Sequence, residues 1–472
     1  MQKENKALAG ETRRDFIKKT ASASAAIAAT GILKTPVYGQ NTAPAVGRTL
    51  SANDRIAVGI VGVGRGIGIN HAGGIQADAS KNNTVLAAGA DLLESRRGWL
   101  TGQKEWNLPG EKIGKIKEPL KVSDVYSDYR KLLERKDIDA VVVATHDIWH
   151  AKITTEALEA GKHVYCEKPM TRYLDEAFRV HDTVKRTGKI FQVGSQGCSA
   201  GAWHKAAELI KSGKLGELVW SQGYYCRNSS GGEWNYPIYP ETNPSTLEWE
   251  TWLGQVKKRI PFNADHFHRW RKYYPYCAGL LGDLAPHRLH PLMLASGNPQ
   301  FPVRVTSIGT KNVHTDKNTQ GTPERDVPEH VQLSAEFPSG YLLTVTCSTV
   351  NAKSPGFVIY GHKATLNIGN NGERIELLPE QPFTEEIDPE MFGGMQPEDP
   401  RVHEKNWFDC IRLNKQPNAG IDLAIRVQTV ISLAEMAERL KMTCLFDEKT
   451  RKITDGNGKE VPAITYGTLE LS

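Results

Sequence analysis

The sequence predicts an α/β fold, a doubly wound parallel sheet, followed by an α+β domain with a large, mostly antiparallel sheet. Three observations carry that prediction. Between residues 55 and 193, short apolar runs alternate with helical patterns, which argues for parallel strands joined by crossover helices. A glycine-rich turn follows the first of those runs directly. Beyond Gln196 the texture changes to short β-branched segments with turn signals between them, such as Pro338-Ser339-Gly340, which suits antiparallel strands.

At 472 residues the chain is too long for one ordinary core, so two domains are expected. The first 40 residues read differently from the rest. Thr12-Arg13-Arg14-Asp15-Phe16-Ile17-Lys18-Lys19 precedes a small apolar run, Thr20 to Leu33, rich in Ala and Ser. That run is too short and too weakly apolar to span a membrane, and its charged flank suits an export leader. The paired arginines match a twin-arginine signal, so a periplasmic or otherwise exported protein is expected. No Cys follows the run, which argues against a lipid anchor. No membrane insertion is expected once the leader is removed.

The leader holds seven Lys/Arg against three Asp/Glu, so four of the five formal positive charges lie within it. The remainder is near neutral and offers no electrostatic footprint for nucleic acid. Seven scattered cysteines without a CxxC pair indicate neither a disulfide framework nor a zinc ribbon.

Residues 41–54 form a polar linker, and 55–196 the first domain. Arg55 to Val61 reads as a buried strand, and Gly62-Val63-Gly64-Arg65-Gly66-Ile67-Gly68 follows. Glycines there allow a tight turn and let backbone N–H groups approach a pyrophosphate at a helix N-terminus. The third glycine of the dinucleotide fingerprint falls on Ile67, flanked by Gly66 and Gly68, so the match is imperfect. The next strand, Thr84 to Ala90, ends at Asp91, an acid placed to bind ribose hydroxyls. That favours NAD over NADP, although Arg96 and Arg97 could accommodate a 2′-phosphate. A helix over 128–135 and a strand over 138–144 come next. Thr145 to His150 then reads as a loop and 151–160 as a helix ending at Gly161.

A short strand follows and presents Glu167-Lys168-Pro169 at its carboxyl end. Pro169 biases Lys168 towards an extended conformation, and ligands of open α/β sheets bind at that end. Helix 173–187 and strand 190–193 complete the alternation.

Together the glycine turn, Ala144-Thr145 with His150, the run Ala157 to Val164, and Glu167-Lys168-Pro169 resemble one family. It is the glucose–fructose oxidoreductase / inositol dehydrogenase / rhizopine-catabolism (Gfo/Idh/MocA) family, and the resemblance covers most of residues 55–440. It implies an N-terminal Rossmann domain, a C-terminal sheet domain, a nicotinamide cofactor and oligomers. The implied cofactor contacts are Gly62, Gly64, Arg65, Gly66, Ile67, Asp91, Thr145, His150, Glu167 and Lys168. Where the family has Thr-Pro, this chain has Thr145-His146.

Residues 197–472 form the second domain, expected to serve substrate binding and oligomerisation as a dimer or tetramer. It carries a helix over 202–211, strands near 217–226, 301–313, 328–337, 341–349, 357–360 and 364–368, and helices near 403–413 and 421–441. Its region 224–297 is rich in aromatics, whose faces can stack on sugar C–H groups. With Trp149, the residues Trp234, His268, Trp270, Arg271, Tyr274 and His290 are the expected substrate contacts. Asp283 and His287 lie four apart, which on one helix places them on one face and lets the carboxylate orient the imidazole. The resemblance implies that they complete a catalytic group with Lys168, and His290 stands where the family often has Asp. Asp265, His266 and His268 with those residues also suggest a metal cluster, but no compact ligand motif occurs and none is expected.

The expected function is NAD(P)-dependent oxidation of a sugar CH–OH group. A lysine held out of water beside a cationic nicotinamide gives up its proton more readily and so suits a general base. An exported enzyme cannot rely on a free NAD pool, so the cofactor is expected to stay tightly bound. The alternative is a redox-neutral glycosidase or lyase that oxidises, eliminates and then reduces. A non-catalytic sugar-binding protein is a second alternative.

Overall fold

The computed structural model describes residues 54–64, 66–105, 116–314 and 325–469. The expected leader, the linker up to residue 53 and Arg65 lie outside those residues. All the described residues belong to a single unit.

The first sheet has six strands: β1 (Ile56–Val61), β2 (Thr84–Ala90), β3 (Val125–Tyr126), β4 (Ala140–Val143), β5 (His163–Glu167) and β6 (Phe191–Gly194). Their spatial order is β3-β2-β1-β4-β5-β6, and every pairing is parallel. Helices α1 (Ile67–Ala77), α2 (Ala79–Asn82), α3 (Glu94–Thr101), α4 (Tyr129–Leu133), α5 (Asp147–Glu159) and α6 (Leu174–Thr187) connect them. Both faces are covered, which is why β1 and β4 are continuous apolar runs with Ile56, Val58, Ile60 and Ala140 fully buried. The strand order reverses between β1 and β4, and a crevice opens at that reversal.

Helix α5 corrects the expected loop at 145–150. It begins at Asp147, four residues earlier than the apolar periodicity suggests, with His146 extended at φ −81° and ψ 158° as the N-cap. Two histidines and an acid hide the helical period there. Asp147 nevertheless suits a first turn, where a carboxylate faces unpaired amide dipoles.

The second half contains α7 (Gly201–Lys211), β7 (Leu218–Cys226), α8 (Trp249–Leu253), α9 (Ala264–His268), α10 (Gly279–Asp283) and α11 (Pro286–Ala295). Strands β8 (Arg304–Thr310), β9 (His330–Glu336), β10 (Leu342–Ser348), β11 (Phe357–Gly361), β12 (Ala364–Ile368), β13 (Ile375–Pro379) and β14 (Glu390–Phe392) follow. Helices α12 (Pro400–Leu413) and α13 (Ile421–Leu440) and strands β15 (Cys444–Asp447) and β16 (Lys452–Thr454) close the chain. These strands form one ten-stranded sheet, β14-β13-β12-β11-β7-β10-β9-β8-β15-β16, in which only β7 and β10 pair in parallel. Helices α7, α11 and α13 cover one face. The other face is open, so β8 and β9 alternate buried and exposed residues. The strands missed from sequence, β3 in the first sheet and β13 to β16 here, are short and lie at or next to sheet edges.

The chain returns to the first sheet at α12. Trp407, Phe408, Cys410 and Ile411 join Ile56, Val58 and Ile60 in one core, and the Val193 N–H donates to the Ala419 carbonyl at 3.0 Å. All seven cysteines are free, six of them buried. No helix among the described residues is long and apolar enough to cross a membrane.

The fully buried Trp407 packs edge-on against Tyr165 at 5.6 Å. Trp407→Ala should therefore cost about 3–5 kcal/mol in thermal or denaturant unfolding. A change no larger than that of the exposed Ile308→Ala would remove α12 from the first sheet's core.

Candidate active site

A cavity of about 980 Å³ lies along the crevice. On one side are Gly62, Gly64, Ile67, Asp91, Thr145, Glu167 and Lys168; on the other are Asp283, His287, His268, Trp270 and Arg271. Trp149 on α5 lines it as well.

The centre is a charge cluster. Lys168 follows β5, and its Nζ donates to Asp283 Oδ1 at 2.7 Å and to the Asp283 backbone carbonyl at 2.8 Å. Arg271 Nε donates to the same Oδ1 at 3.0 Å. Burial alone would favour the neutral acid, but Lys168 and Arg271 outweigh it and hold Asp283 well below the usual carboxylate range.

Asp283 and His287 are not on one helix. Asp283 ends α10 and His287 is in the first turn of α11, with Pro286 at its start. Nor does the carboxylate orient the imidazole, because an ammonium and a guanidinium are stronger donors to it than a neutral ring. His287 is kept neutral by burial and by Lys168 and Arg288, and its Nδ1 has no hydrogen-bond partner.

The glycine turn resolves the imperfect fingerprint. Gly62 has φ +86°, and a Cβ there would lie 2.6 Å from the Ala144 carbonyl oxygen. A Cβ on Gly68 would lie 2.1 Å from the Gly62 carbonyl oxygen, so Gly68 provides the close helix–strand contact expected at position 67. Asp91 accepts from the Val63 N–H at 2.8 Å and the Leu93 N–H at 2.9 Å, bracing the turn from β2. Arg97 donates to the Asp91 carbonyl at 2.8 Å, and Arg96 stands 3.8 Å from its carboxylate.

Behind the cluster, the His71 ring is held between Glu167 at 2.9 Å and Glu404 at 2.5 Å. Burial disfavours the imidazolium, but hydrogen bonds to Glu167 and Glu404 prevail and raise His71 to about 9. His150 stands behind the wall, its ring nitrogens 2.7 Å from the Pro169 carbonyl and 3.1 Å from the Thr145 carbonyl.

Three expected substrate contacts lie elsewhere. Trp234 is buried under the Arg325 guanidinium, 5.2 Å from its ring. Tyr274 donates to Glu438 at 2.7 Å and packs beneath Arg439. His290 is buried and its Nδ1 bonds the Pro286 carbonyl at 2.9 Å, one turn back on its own helix. Tyr274 OH and His290 Nδ1 have partners, whereas the buried Trp234 Nε1 and His290 Nε2 have none among the described residues, so packing rather than the cavity sets these three, which composition does not reveal. Among the described residues, no group of three His, Cys, Asp or Glu is placed to hold a metal ion. Asp265 instead pairs with Arg269 at 2.6 Å, and His268 with Thr242 at 2.9 Å.

Sequence reasoning missed Asp147. Its carboxylate lines the cavity, is 3 % exposed, and faces Arg271, Asp283 and Lys168 without a hydrogen bond. Burial pushes it up to about 7, with Arg271 and Lys168 partly offsetting that effect. Only its position two residues past Thr145 hinted at a role.

A profile described as "Oxidoreductase family, NAD-binding Rossmann fold" matches residues 56–195, and the "GFO/IDH/MocA C-terminal domain" matches residues 253–367. The chain belongs to the Gfo/Idh/MocA family. Among curated relatives, "Glycosyl hydrolase family 109 protein 2" of Shewanella sp. (strain ANA-3) is 28 % identical over 225 residues, 46 % of either chain. An "Alpha-N-acetylgalactosaminidase" of Shewanella oneidensis is 29 % identical over 124 residues, 26 % of this chain. The chain thus spans about half the length of the first curated relatives it matches. Among solved structures, a levoglucosan dehydrogenase in complex with NADH superposes with a TM-score of 0.61 at 17 % identity, covering 87 % of this chain and 100 % of that one. That likeness concerns the fold alone.

Two pH effects follow from the geometry. The His71 contribution, on the order of 3 kcal/mol, is complete below the unfolded value near 6.5 and is lost as pH rises through about 9. His71→Gln should therefore unfold at lower temperature than the parent at pH 7, with the gap closing by pH 10. Asp147 has the opposite sign: a raised acid destabilises the fold above about 7, and the cost vanishes below about 4. Asp147→Asn should raise the Tm at pH 8 and leave it unchanged at pH 4.

Proposed function

We propose that the chain is an NAD-dependent enzyme that oxidises a CH–OH group of a sugar or sugar derivative, with the dinucleotide held throughout. The Lys168–Asp283 pair, standing at the carboxyl end of β5 in the same cleft as the glycine turn, carries this reading. The cleft fits such a cofactor: Gly66 has open space around it at the start of α1, and Asp91 closes the next strand. Arg96 and Arg97 are already engaged with Asp91, which favours NAD over NADP. Bound there, the nicotinamide supplies a hydride acceptor that can also return the hydride.

The chain's own groups handle the proton. Two hydrogen bonds from Lys168 Nζ to Asp283 leave its remaining position directed at the cleft, where the amine takes the proton of a substrate hydroxyl once that position carries its lone pair. Arg271 shares the Asp283 carboxylate and balances its charge. His287, neutral and with Nδ1 free, meets a neighbouring hydroxyl, and Asp147 accepts from another. Trp149 and Trp270 offer flat faces to the sugar ring.

The relatives named glycosyl hydrolases favour a second reading, a redox-neutral glycosidase. There the new carbonyl acidifies the adjacent C–H, Lys168 or His287 removes that proton, the leaving group departs with a proton, water adds in its place, and return of the hydride would restore the CH–OH.

The proposal extends to export, on the strength of Arg13-Arg14, and to a homo-oligomer. The open face of the large sheet carries a stacked Trp220–Tyr360 pair at 3.8 Å and exposed Ile308 and Leu342, a surface suited to a second copy.

Purified full-length protein should carry NAD(H) absorbance. NADH accumulating with a free sugar supports the dehydrogenase; aryl-glycoside hydrolysis without added cofactor supports the second reading. Lys168→Met should keep the cofactor and lose about 10²–10⁴-fold in turnover. Parent-like turnover in that variant refutes the assignment of Lys168.

A further inference from the structure

We infer that residues 246–254 form a strap that locks the dinucleotide in its crevice, with the Trp252 backbone carbonyl as the catch. The inference rests on the reading of that crevice as the NAD site.

Topology places the strap. Strands β2 and β4 flank β1, whose glycine turn sits between their carboxyl ends. One end of the strap is tied to the segment after β2: Leu93 and Leu247 form an antiparallel bridge, and the Glu94 N–H donates to the Thr246 carbonyl at 3.0 Å. The other end is tied to the segment after β4. There the Trp252 carbonyl oxygen accepts from His146 Nε2 at 3.0 Å and from Trp149 Nε1 at 3.2 Å. The His146 ring also stacks on the Trp252 indole, 4.5 Å apart and inclined by 10°. A chain pinned at both places must cross the crevice above the β1 turn. Glu248, Thr251 and Trp252 accordingly border the same cavity as Gly62 and Asp91.

The strap is stiff on its inner side. Leu247, Trp249, Trp252 and Leu253 are buried, and the two indoles stack at 4.8 Å. Gly254, at φ +52°, makes the closing bend against Trp149, where a Cβ would stand 3.0 Å from the indole nitrogen. Nearby, Arg96 lies over the Phe267 ring at 4.8 Å, a further tie across the crevice. Burial lowers His146 to about 3, so its ring stays neutral and the catch does not open over the ordinary pH range. Release of the cofactor then requires both ties to lift together. His146 and Trp149 are positioning residues in this device.

The test reads cofactor retention rather than turnover. Full-length parent, His146→Ala, Trp149→Phe and the double variant are loaded with NADH and passed through gel filtration. NADH fluorescence is then followed after mixing with excess NAD. The parent should retain about one NADH per chain, and the double variant should release it about 10- to 100-fold faster. Trp149→Phe keeps an aromatic ring but removes the donor together with part of the indole; near-ultraviolet circular dichroism checks its packing, and a several-fold faster release from this folded variant supports the strap on its own. Parent-like release from the variants, or a parent that exchanges its cofactor within the mixing time, overturns the strap and leaves the NAD reading standing. A parent that binds no NADH at all overturns the NAD reading, and the strap's role with it.

Discussion

One carboxylate joins the two halves of this protein. Asp283 comes from the helical region between β7 and β8 of the large sheet, and Lys168 from the end of a strand in the parallel sheet. Their contact spans 115 residues of sequence and is completed by Arg271. A buried ion pair of this kind is weak support for stability, because desolvation offsets much of the Coulomb gain. Its worth is geometric. Two hydrogen bonds from one ammonium nitrogen to one residue fix where the third direction of that nitrogen points, and that direction is the cleft.

That arrangement needs support from behind, and the chain provides it with a second charged cluster. Glu167, immediately before Lys168, is held by His71, which is held in turn by Glu404 on α12. Arg401 pairs with Glu404 at 2.6 Å and donates to the Asn70 carbonyl at 2.9 Å, which is why the helix is bare at Gly74, where a Cβ would overlap the guanidinium. The final helices are therefore as much a part of the first sheet's architecture as of the second. Removing both acids would leave a buried imidazolium without a counter-charge, a costlier state than the paired cluster itself.

The parallel sheet was legible in the sequence because both of its faces are covered and its strands are unbroken apolar runs. Thr84 to Ala90 and Ala364 to Ile368 were placed to the residue. Edge strands such as β14 and β16 escaped because three residues carry no period to read. In the site, Lys168 was legible since a lysine before a proline at a strand end is unusual, and Gly62 since its φ is closed to most residues. Asp147 was not: a buried acid that bonds to nothing looks, in a sequence, like any acid that begins a helix. Trp234, Tyr274 and His290 misled for the converse reason, because aromatic and imidazole side chains serve packing as readily as recognition.

The charges around Asp147 finally indicate what state this cleft is built to receive. Lys168 and Arg271 against Asp283 leave one positive charge when Asp147 is protonated, and none when it is ionised. The value near 7 reflects burial above all, with Arg271, Asp283, Lys168 and, more weakly, Arg172 acting on the carboxylate. An oxidised nicotinamide ring bound in that cleft would add a cation, and a nearby cation stabilises the ionised acid. Linkage runs both ways, so the ionised acid favours the oxidised ring over its neutral reduced form. On the proposed function, the acid that weakens the fold above about pH 7 would therefore favour the oxidised cofactor.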